Sequence, residues 1–400
     1  MMKLFRTTAT SLPLLQDKLL HAQESLQSSS VQEMDLSSAP FRFSTLYSSH
    51  EELIEKIQTA KPPSLPHHEC CLLFTGQGSQ YPAMGSDLLK HIPFIRDHVA
   101  SSLAILKCHG LDIASFFNTT NTAIHQTKYA QLSIVVLELA VAAFWTELGL
   151  EPQYAIGHSV GEIAACIHAG FYDQKQGLEL LVERATRMQA CPQNGTMMAV
   201  YADKETLLSL MDDAGQTYPD FAGFNSPKQT ILSGPEDTIF AFQILLKSKG
   251  IKSVMLKVSH AFHSSMMQPM LVDFAKAIAP IQSSAIHAPP YVVSNIHASI
   301  LQSTILTSDY WANHIRQPVN FMGSSQHVWR KGIRNFIEVG PQPVLSGLIK
   351  KSFPHEHVNC VASMSKNIFS HRTLLDAICQ VDSQIQSLSM DKIAKLLESL

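Results

Sequence analysis

Short apolar runs and longer amphipathic segments alternate along most of the 400-residue chain. One apolar run at 70–74 leads into a glycine-rich turn, and another at 154–156 leads into a turn and a segment of small residues. Between them, the stretch 130–148 is mostly apolar. Short apolar runs bounded by turns are typical of buried strands, and the longer stretch is typical of a buried helix. Strands that alternate with helices predict an α/β core with a largely parallel sheet.

The pattern changes between Thr196 and Val258. One strand, a helix, two or three further strands and a second helix fit within these residues. This order is typical of a split βαβ module, which we expect to be inserted into the α/β core.

Both ends of the chain differ from this core. The first forty residues are rich in serine and glutamine, so we expect partial disorder there, with one amphipathic helix near 12–26. A strand at 41–46 and a helix capped by Ser48 or Ser49 precede a proline-rich stretch. The last fifty residues are predicted to be helical and to end in an amphipathic segment.

The predicted organisation is an N-terminal linker-like unit at 1–68, a large subdomain at 69–195 and 259–345, a small subdomain at 196–258 and a helical segment at 346–400.

Charge and cysteine content narrow the class of protein. The formal net charge is −3 and only 16% of residues are charged, which argues against a nucleic-acid-binding surface. The seven cysteines show no C-x-x-C spacing, as expected in a reducing compartment. The N-terminus lacks a signal-peptide pattern. The most apolar run, Ile134 to Trp145, is interrupted by Glu138 and is too short to span a membrane. We therefore expect a cytoplasmic monomer with no membrane or nucleic-acid partner.

Ser159 lies in the sequence Gly157-His158-Ser159-Val160-Gly161, which fits the G-x-S-x-G pattern. In a nucleophile elbow the serine sits on a sharp turn between a strand and a helix, and both are predicted around it here. The helix N-terminus also provides backbone N–H groups, notably that of Val160, that stabilise an oxyanion. The pattern therefore predicts a nucleophilic serine.

A serine nucleophile needs a base within hydrogen-bond reach. Among the 19 histidines, His260 and His263 stand out because they share the stretch VSHAFHSSMMQPM. Neither is identified as the base by its neighbours alone.

A glycine turn, GQGSQ at 76–80, follows the first strand of the core. It departs from G-x-G-x-x-G because position 81 is tyrosine, so a dinucleotide site is not predicted. From these residues alone an ordinary glycine turn is the alternative interpretation.

Five motifs in a fixed order carry a family resemblance. They are FTGQGSQYPAMG at 74–85, GHSVGEIAA at 157–165, ERATRMQ at 183–189, VSHAFHSSMMQPM at 258–270 and YWANHIRQPVNF at 310–321. The stretch from Cys70 to Leu345 resembles the acyltransferase family of malonyl-CoA:acyl carrier protein transacylases and polyketide synthase acyltransferase domains. With this family we expect an α/β-hydrolase-like large subdomain, an inserted ferredoxin-like small subdomain and an active site in the cleft between them. The preceding strand and helix resemble the linker before acyltransferase domains of modular polyketide synthases.

The resemblance implies a role for each matching residue. Ser159 is the acyl-carrying nucleophile, and His263 is its general base. The backbone carbonyl of His314 orients the base, in the place that an aspartate takes in a Ser-His-Asp triad. The backbone N–H groups of Gln77 and Val160 form the oxyanion hole.

The resemblance also implies a malonyl substrate. Arg184 in ERATRMQ is expected to bind its free carboxylate, because a guanidinium pairs with a carboxylate through two hydrogen bonds. His158 and Gln131 are implied as further substrate-binding residues. The HAFH motif resembles that of malonyl-selective members, in which the ring at the position of Phe262 fills the space that an α-methyl branch requires, whereas methylmalonyl-selective members have a YASH-like sequence.

Malonyl-CoA is the implied donor, and the phosphopantetheine thiol of an acyl carrier protein is the implied acceptor. Polyketide synthase modules are further implied partners, and no metal or redox cofactor is implied. Carrier proteins of this kind are acidic, so basic residues are candidates for docking, although a charged run is more often a solvated face. The candidates are Lys247, Lys249, Lys252, Lys257, Arg330, Lys331, Arg334, Lys350 and Lys351.

Three alternatives stay open. An acyl hydrolase of the same fold would clear acyl groups from carrier proteins, with water in place of the thiol. A non-catalytic docking module would keep the fold without the chemistry. A lipase-like esterase would need an acidic triad member and an apolar lid, neither of which is identified. The sequence also leaves open whether the chain is free-standing, which Met1 favours, or a piece of a larger synthase.

Overall fold

The computed structural model describes residues 3–9, 11–27, 41–59, 69–211, 217–366, 368, 370–384, 388–389, 392–393 and 395–396. Three predicted features lie wholly or largely outside the described residues and stay predictions. They are the serine-rich stretch at 28–40, the proline-rich stretch at 61–66 and the amphipathic segment at 390–400.

The N-terminal unit pairs two antiparallel strands. It contains β1 (Lys3–Ala9), α1 (Leu12–Gln27), β2 (Phe41–Tyr47) and α2 (His50–Gln58). Ser49 caps α2 and accepts a hydrogen bond from the backbone N–H of Glu52, as one of the two predicted caps. Strand β1 was not predicted, because its burial depends on pairing with β2 and is not visible in its own pattern.

The first part of the large subdomain alternates strands with helices. It contains β3 (Cys70–Phe74), α3 (Ser86–His91), α4 (Pro93–Cys108), α5 (Thr127–Glu147), β4 (Tyr154–Gly157), α6 (Gly161–His168) and α7 (Gln174–Ala190). Within the described residues, α5 is the one helix long and apolar enough to cross a membrane, but 83% of its most apolar window is buried inside the molecule. This burial is that of a core helix.

The small subdomain follows as a βαββαβ unit. It contains β5 (Gly195–Val200), α8 (Lys204–Met211), β6 (Asp220–Ser226), β7 (Gln229–Pro235), α9 (Glu236–Ser248) and β8 (Ser253–Met255). Its strands form an antiparallel sheet in the order β6-β7-β5-β8, which is a ferredoxin-like arrangement. A bridge between Gly223 and Val319 connects this sheet to the large subdomain.

The chain then returns to the large subdomain. This part contains α10 (Gln268–Ile278), β9 (Tyr291–Val293), α11 (Ser308–Arg316), α12 (Phe321–Arg330), β10 (Asn335–Glu338), α13 (Leu345–Ser352), β11 (Asn359–Ala362) and α14 (Ser370–Gln384). The segment 346–400 was predicted to be only helical, but β11 pairs in parallel with β10. The central sheet therefore continues past residue 345, with a strand too short and too polar to be recognised without its partner.

The central sheet places two of the predicted motifs side by side. Its strands are parallel in the order β11-β10-β3-β4-β9. All five residues of β3 are completely buried, as in a sheet covered on both faces. Phe74 at the end of β3 pairs with Gly157 at the end of β4, so the turns that follow these strands meet at one edge of the sheet.

Candidate active site

Ser159 lies in the turn between β4 and α6. Its φ of +52° is in the left-handed region, which an L-residue other than glycine occupies only when its surroundings hold it there. A Cβ at Gly157 would lie 2.0 Å from the backbone nitrogen of Glu162. A Cβ at Gly161 would lie 2.3 Å from the carbonyl oxygen of Phe74. Both glycines are therefore needed for the close packing of strand, turn and helix that presents the serine hydroxyl.

His263 lies beside the nucleophile. Its Nε2 is 2.8 Å from the Oγ of Ser159, and its Nδ1 is 2.9 Å from the backbone carbonyl oxygen of Gln317. Because a carbonyl only accepts, Nδ1 carries the proton and Nε2 is free to accept the serine proton. Burial, together with the positive charge of Arg184, lowers the pKa of His263 to about 3. The imidazole is therefore neutral near pH 7, which is the form that a general base requires.

The carbonyl that orients the base belongs to Gln317, whereas the sequence predicted that of His314. Gln317 ends α11 in an extended conformation before Pro318, so its carbonyl leaves the helix and is available to the histidine. The carbonyl of His314 raises the pKa of His263 less than that of Gln317 does. The His314 ring is completely buried, and neither ring nitrogen has a hydrogen-bond partner among the described residues.

Arg184 extends from α7 to the nucleophile. Its Nη2 donates to the Oγ of Ser159 at 3.0 Å, and its Nη1 donates to the Oε1 of Gln131. The side chain is 2% exposed, and Nε has no hydrogen-bond partner in the described part of the chain. Burial lowers the pKa of Arg184 to about 9, with Glu162 opposing the shift, so the guanidinium stays protonated at neutral pH.

The predicted residues converge on one cleft of about 300 Å³ between the two subdomains. Those that line it are Gln77, His158, Ser159, Arg184, Phe262 and His263. Gln131 lies behind Arg184, and Val160 is the N-cap residue of α6, where backbone N–H groups have no partner within the helix. The other walls are largely apolar and come from both subdomains, among them Met197, Ala222, Ile231, Val344 and Leu348.

His158 connects the two subdomains across this cleft. Its Nε2 is 2.9 Å from the Oδ1 of Asn225, which belongs to β6 of the small subdomain. Burial lowers the pKa of His158, so the ring is neutral and donates its Nε2–H to the amide oxygen. The residue before the nucleophile is therefore fixed by a group from the other side of the cleft.

Asn295 and Glu162 hold the nucleophile turn and were not predicted. The Oδ1 of Asn295 accepts the backbone N–H of Ser159 at 2.7 Å, and its Nδ2 donates to the carbonyl of Gly157 at 2.6 Å. Glu162 accepts the backbone N–H of Asn295 at 2.5 Å and the hydroxyl of Tyr310. Burial raises the pKa of Glu162 to about 7. Asn295 follows β9, and only the sheet order brings that strand next to β4.

Glu138 supports the turn that carries Gln77. Its Oε1 accepts the backbone N–H of Thr75 at 2.5 Å and the Thr75 hydroxyl at 2.7 Å. The Thr75 hydroxyl oxygen is also 3.0 Å from that of Ser79. Burial raises the pKa of Glu138 well above its usual range. The signal in the sequence is one acidic residue inside an apolar helix, where a charged side chain is seldom buried without a partner.

Within the described residues, no group of three or more His, Cys, Asp or Glu side chains is arranged to hold a metal ion. All seven cysteines have free thiols.

Comparison with known proteins connects this cleft with one family. The model of the acyl transferase domain family matches residues 71–384. A phenolphthiocerol synthesis polyketide synthase of type I from Mycobacterium marinum is 31% identical over 317 residues, which are 78% of this chain and 15% of that protein. The chain therefore corresponds to a small part of the length of this relative.

Solved structures share the fold. The acyltransferase domain from module 8 of the salinomycin polyketide synthase has a TM-score of 0.87 at 18% identity, with 96% of each chain covered. A malonyl-transacylase solved in complex with its type II polyketide synthase acyl carrier protein has a TM-score of 0.68 at 26% identity, with 76% of this chain and 99% of that chain covered. These likenesses confirm the predicted fold class. The chain belongs to the acyl transferase domain family.

Proposed function

We propose that this chain transfers a malonyl group from malonyl-CoA to the phosphopantetheine thiol of an acyl carrier protein, through an ester on Ser159. The observation that carries the proposal is the buried guanidinium of Arg184, 3.0 Å from the nucleophilic oxygen. Serine and histidine are sufficient for acyl transfer itself. A cation at this place is useful when the acyl group bears a negative charge.

Arg184 forms no direct ion pair with a carboxylate of the described residues, although Glu162 is near enough to oppose the fall in its pKa. Its described hydrogen bonds go to a neutral amide and a hydroxyl, and its Nε is unpaired among the described residues. A malonyl carboxylate can accept two hydrogen bonds from the guanidinium while its thioester carbon lies at Ser159. An acetyl group would leave the desolvated cation without a hydrogen-bonded anion, so the cleft favours the acyl group that carries a carboxylate.

In the first half-reaction Ser159 attacks the thioester carbon. Its proton passes to Nε2 of His263 as the oxygen–carbon bond forms, and the N–H groups of Gln77 and Val160 stabilise the oxyanion. The carbon–sulfur bond then breaks, and the CoA sulfur takes the proton from Nε2. The Gln317 carbonyl holds the Nδ1–H, which keeps the ring oriented for both proton transfers.

The second half-reaction repeats these steps with the carrier thiol. The thiol gives its proton to Nε2 of His263, and the sulfur attacks the ester carbon. The ester bond breaks, and the Oγ of Ser159 recovers the proton from Nε2. The apolar walls of the cleft limit access of water to the ester, which supports transfer over hydrolysis.

Selectivity among extender groups is proposed to depend on Phe262. Its side chain is 6% exposed and lines the cleft together with Ser159. An α-methyl branch would compete with the ring for space, and discrimination of one methyl group in an apolar site is worth about 1–3 kcal/mol. We therefore propose a preference for malonyl over methylmalonyl groups.

We also propose that the acyl carrier protein docks on the basic residues named as candidates in the sequence. All of the candidates are exposed except Arg334, whose guanidinium stacks on the ring of Trp329 at 3.5 Å. Arg334 is therefore engaged within the fold. Glutamate in place of Lys350 and Lys351 should slow transfer to the carrier and reduce its salt dependence, with transfer from malonyl-CoA to Ser159 unchanged.

The test is intact-protein mass spectrometry after mixing with malonyl-CoA, acetyl-CoA and methylmalonyl-CoA, followed by holo acyl carrier protein. We expect a malonyl adduct that Ser159→Ala abolishes and that the carrier protein removes with gain of the same mass. Absence of any adduct on the folded wild type would favour the docking module. Loss of the adduct to water at the same rate with and without the carrier would favour the acyl hydrolase.

We also propose that the chain works as a cytoplasmic monomer without a metal or redox cofactor. Free thiols support a reducing compartment, and the proton transfers above use only protein groups. Sedimentation velocity at two concentrations measures the oligomeric state, and activity after exhaustive chelation measures any dependence on metal.

A further inference from the structure

Two separate segments of the chain orient the catalytic base. His263 has a φ of +55°, a left-handed conformation that neighbouring groups must hold in place. The carbonyl that accepts its Nδ1–H lies at Gln317, 54 residues further along the chain. The distance between the two segments therefore decides whether the imidazole points at Ser159.

Asp220 joins these two segments from the small subdomain. Its Oδ2 accepts the backbone N–H of Ser265 at 2.7 Å and the Ser265 hydroxyl at 2.9 Å. Its Oδ1 accepts from Nη2 of Arg316 at 2.9 Å. Ser265 is two residues after the base, and Arg316 is directly before Gln317, so one carboxylate holds both segments.

The contact is not part of the catalytic cleft. The side chains of Asp220 and Arg316 are each 27% exposed and line a separate open groove of about 550 Å³ that also contains Gln317. Ion pairs that solvent reaches contribute little to stability, so this pair adds little to the fold by itself. A catalytic group displaced by about 1 Å, in contrast, lowers a rate by about 100-fold.

We propose that Asp220, together with Arg316, is a positioning residue for His263. The carboxylate fixes the distance between the Ser265 backbone and the end of α11. At that distance Nδ1 of His263 meets the Gln317 carbonyl, and Nε2 of His263 meets the Ser159 hydroxyl. The small subdomain thereby takes part in orienting a base that belongs to the large subdomain. This inference rests on the proposed acyl transfer through Ser159 and extends it.

The test compares Asp220→Asn and Arg316→Gln with the wild type in two reactions of Ser159. The first is malonylation by malonyl-CoA, followed by rapid quench and mass spectrometry. The second is sulfonylation by phenylmethylsulfonyl fluoride, in which the serine oxygen bonds to sulfur, fluoride leaves and His263 takes the proton. This reagent has no carboxylate, so its rate reports the dyad independently of carboxylate binding by Arg184.

We expect both variants to lose about 10-fold in the maximal malonylation rate, with little change in the malonyl-CoA concentration that gives half of that rate. Sulfonylation should slow by a similar factor. The double variant should be no slower than the slower single variant, because both substitutions break one connection. Lys228→Ala is the matched control: it removes the exposed Lys228–Asp203 ion pair of the same subdomain and should leave both rates unchanged.

Wild-type sulfonylation and malonylation rates in Asp220→Asn, with unchanged thermal unfolding, would overturn the inference. A fall in both rates that merely follows a lowered unfolding temperature in each variant would also overturn it. A wild type that reacts with the sulfonyl fluoride but not with malonyl-CoA would overturn the proposed substrate, while the sulfonylation rates would still decide the role of Asp220.

Discussion

Under the proposed function, Arg184 and Phe262 offer an acyl group two different kinds of contact. The first supplies charge and two directed hydrogen bonds, and the second supplies a rigid apolar surface. Both side chains are buried beside Ser159. Substitution of Arg184 should therefore change selectivity for the charge of the acyl group, and substitution of Phe262 should change selectivity for its branching.

Arg184→Ala should remove the preference for a charged acyl group. We expect the ratio of malonyl-CoA to acetyl-CoA acylation rates to fall by about 100-fold, because hydrogen bonds to a charged partner contribute about 1.5–3 kcal/mol. Competition between the two thioesters, read by mass spectrometry, measures the ratio. Arg187→Ala removes a half-buried arginine of the same helix that pairs with Glu183 and serves as the control. An unchanged ratio in Arg184→Ala would contradict the proposed carboxylate site.

Phe262→Ala should admit a branched acyl group. The ratio of methylmalonyl-CoA to malonyl-CoA acylation rates is expected to rise by about 10-fold or more, since the vacated volume exceeds one methyl group. Phe240→Ala, at a phenylalanine that is 49% exposed on α9, is the matched control. The same competition assay measures both variants, and a ratio equal to that of the control would rule out a steric role for the ring.

The pH dependence of acylation should reflect the low pKa of His263. The ordinary pKa of histidine is about 6.5, whereas that of His263 is about 3, so the base stays unprotonated from pH 5 to 7.5. We expect kcat/KM for malonyl-CoA to lack an acid limb near pH 6.5. Glu162, whose pKa is about 7, titrates in this range, so the profile is measured in a Glu162→Gln background. An acid limb of kcat/KM near pH 6.5 in the Glu162→Gln variant would contradict the low pKa of His263.

The same shift has a defined effect on stability. Between about pH 3 and pH 6.5 the unfolded chain binds a proton at His263 that the native protein does not bind. The contribution of this residue to the free energy of unfolding is therefore favourable above pH 6.5 and is lost as the pH falls through that window.

At the scale of secondary structure, the elbow depends on how closely β3, β4 and α6 approach one another. Gly161→Ala should push α6 away from β3, because the added Cβ would lie 2.3 Å from the Phe74 carbonyl oxygen. We expect a loss of about 1–3 kcal/mol in the free energy of unfolding, together with loss of acylation. Urea denaturation and the acylation assay measure the two effects.

Gly347→Ala is the control for this substitution. Gly347 lies within α13, and an added Cβ there would meet no atom within 4 Å. Alanine is the better helix former, so the free energy of unfolding should rise by about 0.5–1 kcal/mol. A loss of stability in both variants would show that close approach is not the cause at Gly161.

At the scale of the whole molecule, Asp382 of α14 connects the two ends of the chain. It accepts from the Nε of Arg6 at 2.9 Å, from Nη1 of Arg42 at 3.2 Å and from the hydroxyl of Ser44, and all four side chains are buried. The N-terminal strands are therefore fastened to the helix that follows the central sheet. A buried carboxylate that serves two guanidinium groups is strongly coupled to the fold.

Asp382→Ala should leave two buried cations without this anion. We expect a loss of about 3–5 kcal/mol in the free energy of unfolding and faster proteolysis within the N-terminal unit. Limited proteolysis with mass analysis of the fragments measures the second effect. Asp97→Ala, at an exposed aspartate of α4, is the control. Equal fragment patterns in the two variants would contradict the connection.

The motifs of the sequence predicted a nucleophile, its base and a cation, and the structure brings His263 and Arg184 within hydrogen-bond distance of Ser159. Ser159 was predictable because a strand, two glycines and a helix follow one another within a few residues, and this local order dictates a local turn. His263 and Arg184 became predictable only through their place in five ordered motifs. The alternation of strands and helices likewise predicted the α/β core and the βαββαβ insertion, because periodicity is also a local property.

The tertiary structure decided what joins distant segments. Asn295 meets Ser159 across 136 residues, and the base meets the Gln317 carbonyl, with a smaller contribution from the predicted His314 carbonyl. Strands β1 and β11 were missed for the same reason, since each is defined by the strand beside it. A residue pattern along the chain records which side chains are apolar or reactive. Sheet order and packing decide which carbonyl, amide or strand edge a given group meets. A short stretch of sequence does not contain this information.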